Sequence, residues 1–242
     1  MTDALTARQT QILKCIIDEY IETAEPVGSD VLEKKHGLGV SSATIRNEMA
    51  TLTNLKYLKQ PHTSAGRVPT PRAMKFYVDQ LMEEKQMSLA EEVKAKEEVW
   101  DSRDDIEDLI EEATNSLAAR TDSLAVAALD DGRSWHAGLA NVFQSPEFAD
   151  LGVCSSVFSL LEEETRIIDL FFKRLMGDSS VEVIFGEELG WDELEPVGVV
   201  ATRFKVRNRL GALGIVGPVR LKYQTVIPII RYYGKLIQEV AK

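Results

Sequence analysis

Apolar residues recur at helical spacing from about Thr6 to Thr23, with Ile12, Ile16 and Tyr20 in one row and Leu13, Ile17 and Ile21 beside it. Pro26 and Gly28 end that pattern. Ser29 stands where an N-cap belongs, so a short second helix carrying Val31 and Leu32 is predicted, ending at Gly37. A third helix is predicted from Ser41 or Ser42 to about Leu55, with Ile45, Met49 and Leu52 as its buried row. Two short helices joined by His36–Val40, with glycine in the turn, form a helix-turn-helix. Tyr57 to Pro61 then reads as extended, and the chain returns from His62 to Arg67 through Val68-Pro69, with Gly66 permitting a tight tip. Thr70-Pro71 is an N-cap followed by proline at the first helical position, and Met74, Tyr77, Val78 and Leu81 supply the apolar face of a fourth helix.

The pattern changes after residue 83. Two acidic helices are predicted over 83–120, each opened by a capping box, Ser88 with Glu91 and Ser102 with Asp105. Their apolar stripe, Val93, Val99, Ile106, Ile110, Ala113 and Leu117, can pack on the next domain or on a second subunit. Strands are then expected at Leu124–Leu129, Ser134–Val142, Val181–Phe185, Val199–Val206 and Leu210–Val216, the last two joined by a turn at Arg207-Asn208-Arg209. A long amphipathic helix from Val153 to Leu175 and a final helix from about Tyr223 to Val240 complete the second half. The pattern alone gives an α+β protein of two domains whose second sheet is mainly antiparallel.

Composition bears on function through its distribution. The formal net charge is −11. Residues 1–85 balance 11 basic against 11 acidic side chains, so the whole excess lies in 86–242. Between 34 and 75 stand eight basic residues, Lys34, Lys35, Arg46, Lys56, Lys59, Arg67, Arg72 and Lys75, against Glu48 alone. That local surplus is what a phosphate-binding face requires. Ser41, Ser42, Thr44, Arg46 and Asn47 cluster at the start of the third helix, off its apolar row. Arginine can bond guanine O6 and N7 with both prongs, and asparagine does the same for adenine N6 and N7. Serine and threonine hydroxyls at a helix start suit phosphates. Taken singly, each of these residues is ordinary polar surface or a cap. The hairpin beside them shifts the balance, because Lys59, His62, Thr63, Ser64 and Arg67 decorate a ribbon too short to pack on anything itself.

Other chemistry is missing. His36, His62 and His136 fit no metal spacing, and there is no CxxC, HExxH, GxSxG or Walker A motif. Gly211, Gly214 and Gly217 lie in a predicted strand and point to close sheet packing. Glu162-Glu163-Glu164 reads as a solvated helix face, and Trp100, Trp135 and Trp191 are scattered. Cys15 and Cys154 read as reduced core thiols of a cytoplasmic protein. No apolar run is long enough to span a bilayer, and the N-terminus lacks the marks of a signal peptide. No enzymatic activity, cofactor or metal is expected.

Three stretches resemble the HrcA family of heat-inducible repressors: Val27-Gly28-Ser29, Ser41 through Met49, and Tyr57 through Thr70. Further likeness lies in Leu139-Ala140-Asn141-Val142, Pro146-Glu147-Phe148, Leu213 through Arg220, Tyr223 and Val226-Ile227-Pro228. The resemblance implies a winged helix-turn-helix over 1–84, an acidic helical connector over 85–120 and a GAF-like effector and dimerisation domain over 121–242. It also implies a homodimer on an inverted-repeat DNA operator, repression of chaperone operons, and a response to heat or to chaperonin. Family members commonly carry a further segment inserted in the GAF-like domain, whereas this chain runs directly from Val142 and Phe148 into its long helix. Two other readings stand beside this one: a regulator whose GAF-like domain senses a small molecule, and a chaperonin partner whose DNA-binding half is vestigial.

Overall fold

The computed structural model describes residues 5–175, 177 and 179–241. The chain forms two compact units, one ending at Glu83 and the other beginning at Glu84. In the first, α1 (Ala7–Thr23), α2 (Ser29–His36) and α3 (Ser42–Asn54) precede a two-stranded antiparallel ribbon of β1 (Leu58–Lys59) and β2 (Val68–Pro69), then α4 (Pro71–Phe76). Thr6 caps α1 in a reciprocal capping box with Gln9. The predicted apolar rows are the core: Ile12, Leu13, Ile16, Ile17 and Ile21 meet Leu32, Ile45, Met49, Leu52 and Met74, all buried. Each such side chain contributes about 1.5–3 kcal/mol of burial. Tyr77 is buried too, and its hydroxyl donates to Asp18 Oδ1 at 2.7 Å.

Two local expectations for this unit are corrected. Ser29 is the first residue of α2 rather than its cap; Gly28, with extended backbone, holds the cap position. Gly66 is not at the hairpin tip. A Cβ there would lie 2.4 Å from the Val27 carbonyl oxygen, so glycine is required by a close backbone approach. That approach makes a bridge in which Val27 N–H donates to Arg67 O and Arg67 N–H donates to Val27 O, both at 2.9 Å. It stitches the segment before α2 to the returning strand.

The second unit opens with α5 (Leu89–Trp100) and α6 (Ile106–Thr121). Ser88 and Glu91 form the expected capping box. The second one is absent: Asp105 itself caps α6, accepting from Glu107 N at 2.7 Å. Val99, Ile110, Ala113 and Leu117 are buried within this unit, whereas Val93 is exposed. The sheet runs in the order β4-β3-β7-β6-β5, from β3 (Leu124–Leu129), β4 (Ser134–Ala137), β5 (Glu182–Phe185), β6 (Val197–Val206) and β7 (Arg209–Pro218), every neighbouring pair antiparallel. Strand β3, flanked by β4 and β7, is buried along all six residues, which is why Leu124–Leu129 shows no polar alternation.

On one face the sheet packs against α8 (Leu151–Glu162), α9 (Glu164–Asp169) and the helical turn Leu170–Arg174 that follows, with Leu124, Val126, Val199 and Val216 in one core with Val157, Leu160, Ile167 and Phe171. On the other lie α6 and α11 (Tyr223–Val240), with Gly234 of α11 against Thr202 of β6. The short helices α7 (Leu139–Val142) and α10 (Gly186–Leu189) complete the order. The observed class is therefore mixed helix and antiparallel sheet in two units. Gly214 does serve close packing, since a Cβ there would meet Val200 O at 2.5 Å.

The sequence misplaces two elements here. The strand expected over Ser134–Val142 stops at Ala137, because Gly138 turns with φ 80° and caps α7. The helix expected from Val153 to Leu175 is broken at Glu163, whose backbone is extended (φ −100°, ψ 102°). The apolar period continues on either side of that one-residue break. Cys154 is buried with its thiol 2.9 Å from the Phe148 carbonyl, while Cys15 is only half-buried. Glu147 and Arg220 form a two-pronged pair at 2.6 and 3.1 Å, with both side chains about 85% covered. Among the described residues no helix is long and apolar enough to cross a membrane.

Candidate nucleic-acid interface

The start of α3 is set by Ser41, whose hydroxyl accepts from Thr44 N at 3.4 Å and lies 3.2 Å from Thr44 Oγ1. Ser41 is thus occupied as a cap. Ser42 is turned toward α2: its hydroxyl donates to the Asp30 carboxylate and lies 2.8 Å from the Ser29 hydroxyl, from which it can accept. Three of the five expected contacts here, Ser41, Ser42 and Thr44, therefore have their hydroxyls in internal bonds. Ile45, Met49 and Leu52 point into the core, which rotates Arg46 and Asn47 outward, and both are exposed one turn into the helix.

The ribbon is held by a residue absent from the expected contacts. Gln60 Nε2 donates to Thr63 O and to Ala65 O, each at 3.0 Å, and Ala65 N–H closes a turn onto His62 O at 2.9 Å. This pins the tip so that His62, Thr63 and Ser64 are exposed, with His62 Nδ1 at 3.2 Å from Ser64 Oγ. Lys59 is exposed on β1. Arg67 is not a tip residue. It is half-buried, its Nε donates to Thr53 Oγ1 at 3.2 Å, and its backbone makes the Val27 bridge. No local pattern marks Gln60, because its partners are carbonyls whose positions depend on the closed turn.

Charge at this face is unevenly committed. Arg72 stacks on the Tyr57 ring with 4.5 Å to its centroid and donates to Leu55 O, so it braces the ribbon base. Lys35 pairs with Glu19, whose carboxyl this hydrogen bond holds below the usual range, with His36 Nε2 3.4 Å from the other oxygen. Asp30, in the first turn of α2, is exposed beside the start of α3. The Ser42 hydrogen bond is the main cause holding its carboxyl below the usual range, and the charges of Arg46 and Lys34 add to it. Among the described residues no group of His, Cys, Asp and Glu is arranged to hold a metal ion.

Comparison with known proteins bears on the whole chain. The family model described as the HrcA protein C terminal domain matches residues 72–227. The chain is 28% identical to the heat-inducible transcription repressor HrcA of Carboxydothermus hydrogenoformans, over 96% of this chain and 97% of that one. It is 27% identical to the protein of the same name from Geobacter sulfurreducens, over 99% of each. The first alignment is 334 positions long against a 242-residue chain, so at least about ninety positions of that relative have no counterpart here. A crystal structure of a hypothetical protein shares the fold with a TM-score of 0.76 at 20% identity, over 98% of each chain. Because the family's own model accounts for well over half of its length, this chain belongs to the HrcA family.

Proposed function

We propose that the chain is a sequence-specific DNA-binding transcription repressor of heat-shock operons, acting as a homodimer on an inverted-repeat operator. Its family membership and the repressor names of its relatives support a regulator rather than an enzyme. In this reading residues 1–84 are a winged helix-turn-helix, 85–120 an acidic connector, and 121–242 a GAF-like effector and dimerisation domain. The observation that carries it is the pairing of two outward residues, Arg46 and Asn47, with an adjoining pinned ribbon that exposes Lys59, His62, Thr63 and Ser64. A helix presenting its first turns to the major groove needs that arrangement, with the ribbon on phosphates or in the neighbouring minor groove.

Arg46 and Asn47 would read base edges. Lys59 and the ribbon tip would set the register on the backbone, joined by Thr44 where its hydroxyl exchanges Ser41 for a phosphate. Ser41, Ser42 and Arg67 would contribute by holding that surface in shape, since their polar atoms already serve internal bonds. Replacing Arg46 by alanine is expected to cost about 1–3 kcal/mol on operator DNA and little on random DNA. Lys59→Ala should weaken both duplexes alike and reduce the salt slope by about one. Equal losses on the two duplexes for Arg46→Ala would count against the assignment.

A further inference from the structure

The connection between β1 and β2 is long for strands so short. Leu58 faces Pro69 and Lys59 faces Val68, so residues 60–67 close the ribbon without ladder pairing of their own. Such a loop keeps much of its conformational freedom unless bonds within it remove that freedom. Its base is tied down by the Arg67–Val27 bridge. Between Gln60 and Ala65, among the described residues, the hydrogen bonds are the Ala65–His62 turn, the His62–Ser64 contact and the two made by Gln60 Nε2. Those two reach Thr63 O and Ala65 O, each at 3.0 Å, so one amide gathers two carbonyl oxygens of the tip. Phosphates offer only acceptors, and the minor-groove base edges offer little else, so a carbonyl oxygen turned toward either repels it. Drawing both carbonyls onto Gln60 takes two acceptors off that face and leaves the His62, Thr63 and Ser64 side chains exposed on it.

We propose that Gln60 is a positioning residue of the DNA-binding face: it pre-forms the arrangement of His62, Thr63 and Ser64 that meets the duplex, so that binding does not have to order the tip. The inference rests on the reading of the ribbon as a DNA contact. It goes beyond that reading by assigning part of the affinity to an uncharged side chain whose described bonds stay within the ribbon. Gln60 is exposed, so its bonds act on the tip and not on the core of the unit. A purely structural role would show as lost stability, whatever side chains the tip carries.

The test is fluorescence-anisotropy titration of full-length wild type, Gln60→Met, Gln60→Ala, a tip variant (His62→Ala/Thr63→Ala/Ser64→Ala) and the tip variant carrying Gln60→Met. Each is titrated against an inverted-repeat duplex and its scrambled counterpart, alongside thermal melts and amide exchange at Ala65. Methionine keeps the length of the side chain and removes both donors. Gln60→Met and Gln60→Ala should each weaken operator binding about five- to fiftyfold and speed exchange at Ala65. The melting temperature should stay within about 4 °C of wild type. In the tip variant the same Gln60→Met change should cost less than about twofold, because no side chain remains for it to position. Unchanged affinity in both Gln60 variants, a loss of equal size with and without the tip side chains, or a loss accompanied by a larger fall in melting temperature would overturn the inference while leaving the repressor reading intact. Failure of the wild type to prefer the inverted repeat would instead overturn the repressor reading itself.

Discussion

Adding one methyl group at Gly66 should disable the ribbon. Its Cβ would sit 2.4 Å from Val27 O, 2.5 Å from Val27 C and 2.8 Å from Pro26 C, all backbone atoms that have no rotamer to yield with. Relief requires the strands to part, which breaks the two 2.9 Å hydrogen bonds of the Val27–Arg67 bridge. Two such bonds are worth about 0.5–1.5 kcal/mol each, and overpacking adds about 1–3 kcal/mol. The expected destabilisation of the first unit is therefore about 2–6 kcal/mol, a large share of what a unit this small possesses. Gly28→Ala, directly after Val27, is the control. Its backbone is ordinary (φ −92°) and no atom lies within 4 Å of the added carbon, so its effect should stay within about 1 kcal/mol. Urea unfolding followed by circular dichroism gives the energies, and amide exchange at Val27 and Arg67 reports the bridge directly. Gly66→Ala with wild-type midpoint and undiminished protection at both amides would refute the argument.

Three further outcomes follow from the second unit and its pairs. Glu147→Ala leaves the covered Arg220 guanidinium without its two-pronged partner and should cost about 3 kcal/mol or more in chemical denaturation. Gly214→Ala, whose Cβ meets Val200 O at 2.5 Å and Ala201 Cβ at 2.6 Å, should destabilise the sheet by about 1–3 kcal/mol or more, measured the same way. Glu84 is held below its ordinary range chiefly by its hydrogen bonds to Arg231, at 2.6 and 2.7 Å. Its folded value being the lower one, its stabilisation is complete above the unfolded glutamate range and is lost as pH falls through the folded value. The gap between wild type and Glu84→Gln should be about 1 kcal/mol at neutral pH and close toward zero in acid, read from unfolding midpoints across pH.

Helices with one buried face were legible because their period is local. The rows Ile12–Ile16 and Ile45–Met49–Leu52, the cap at Thr70-Pro71 and the last helix from Tyr223 to Val240 stand where spacing puts them. What failed depends on contacts distant in sequence or on single backbone torsions. Glu163 interrupts a helix whose apolar period it does not disturb, and Gly138 ends a strand before the apolar residues do. Gly66 looked like a turn glycine because its neighbour Val27 lies far back along the chain. At the candidate interface, composition marked the basic face but not the allocation of its members. Whether Arg67 or Arg72 is exposed or braced against Thr53 or Tyr57 is decided by packing. The same holds for Asp30, which in sequence is one more acidic residue opening a helix.

The central claim is that this chain reads a DNA sequence, and one titration addresses it. Labelled inverted-repeat chaperone-operon DNA and a scrambled duplex of equal length are titrated with the full chain at two salt concentrations, followed by anisotropy. The account predicts a preference of roughly a thousandfold or more for the inverted repeat, persisting when salt is raised. Equal affinity for both duplexes, collapsing together as salt increases, would contradict it and leave only a generic basic face.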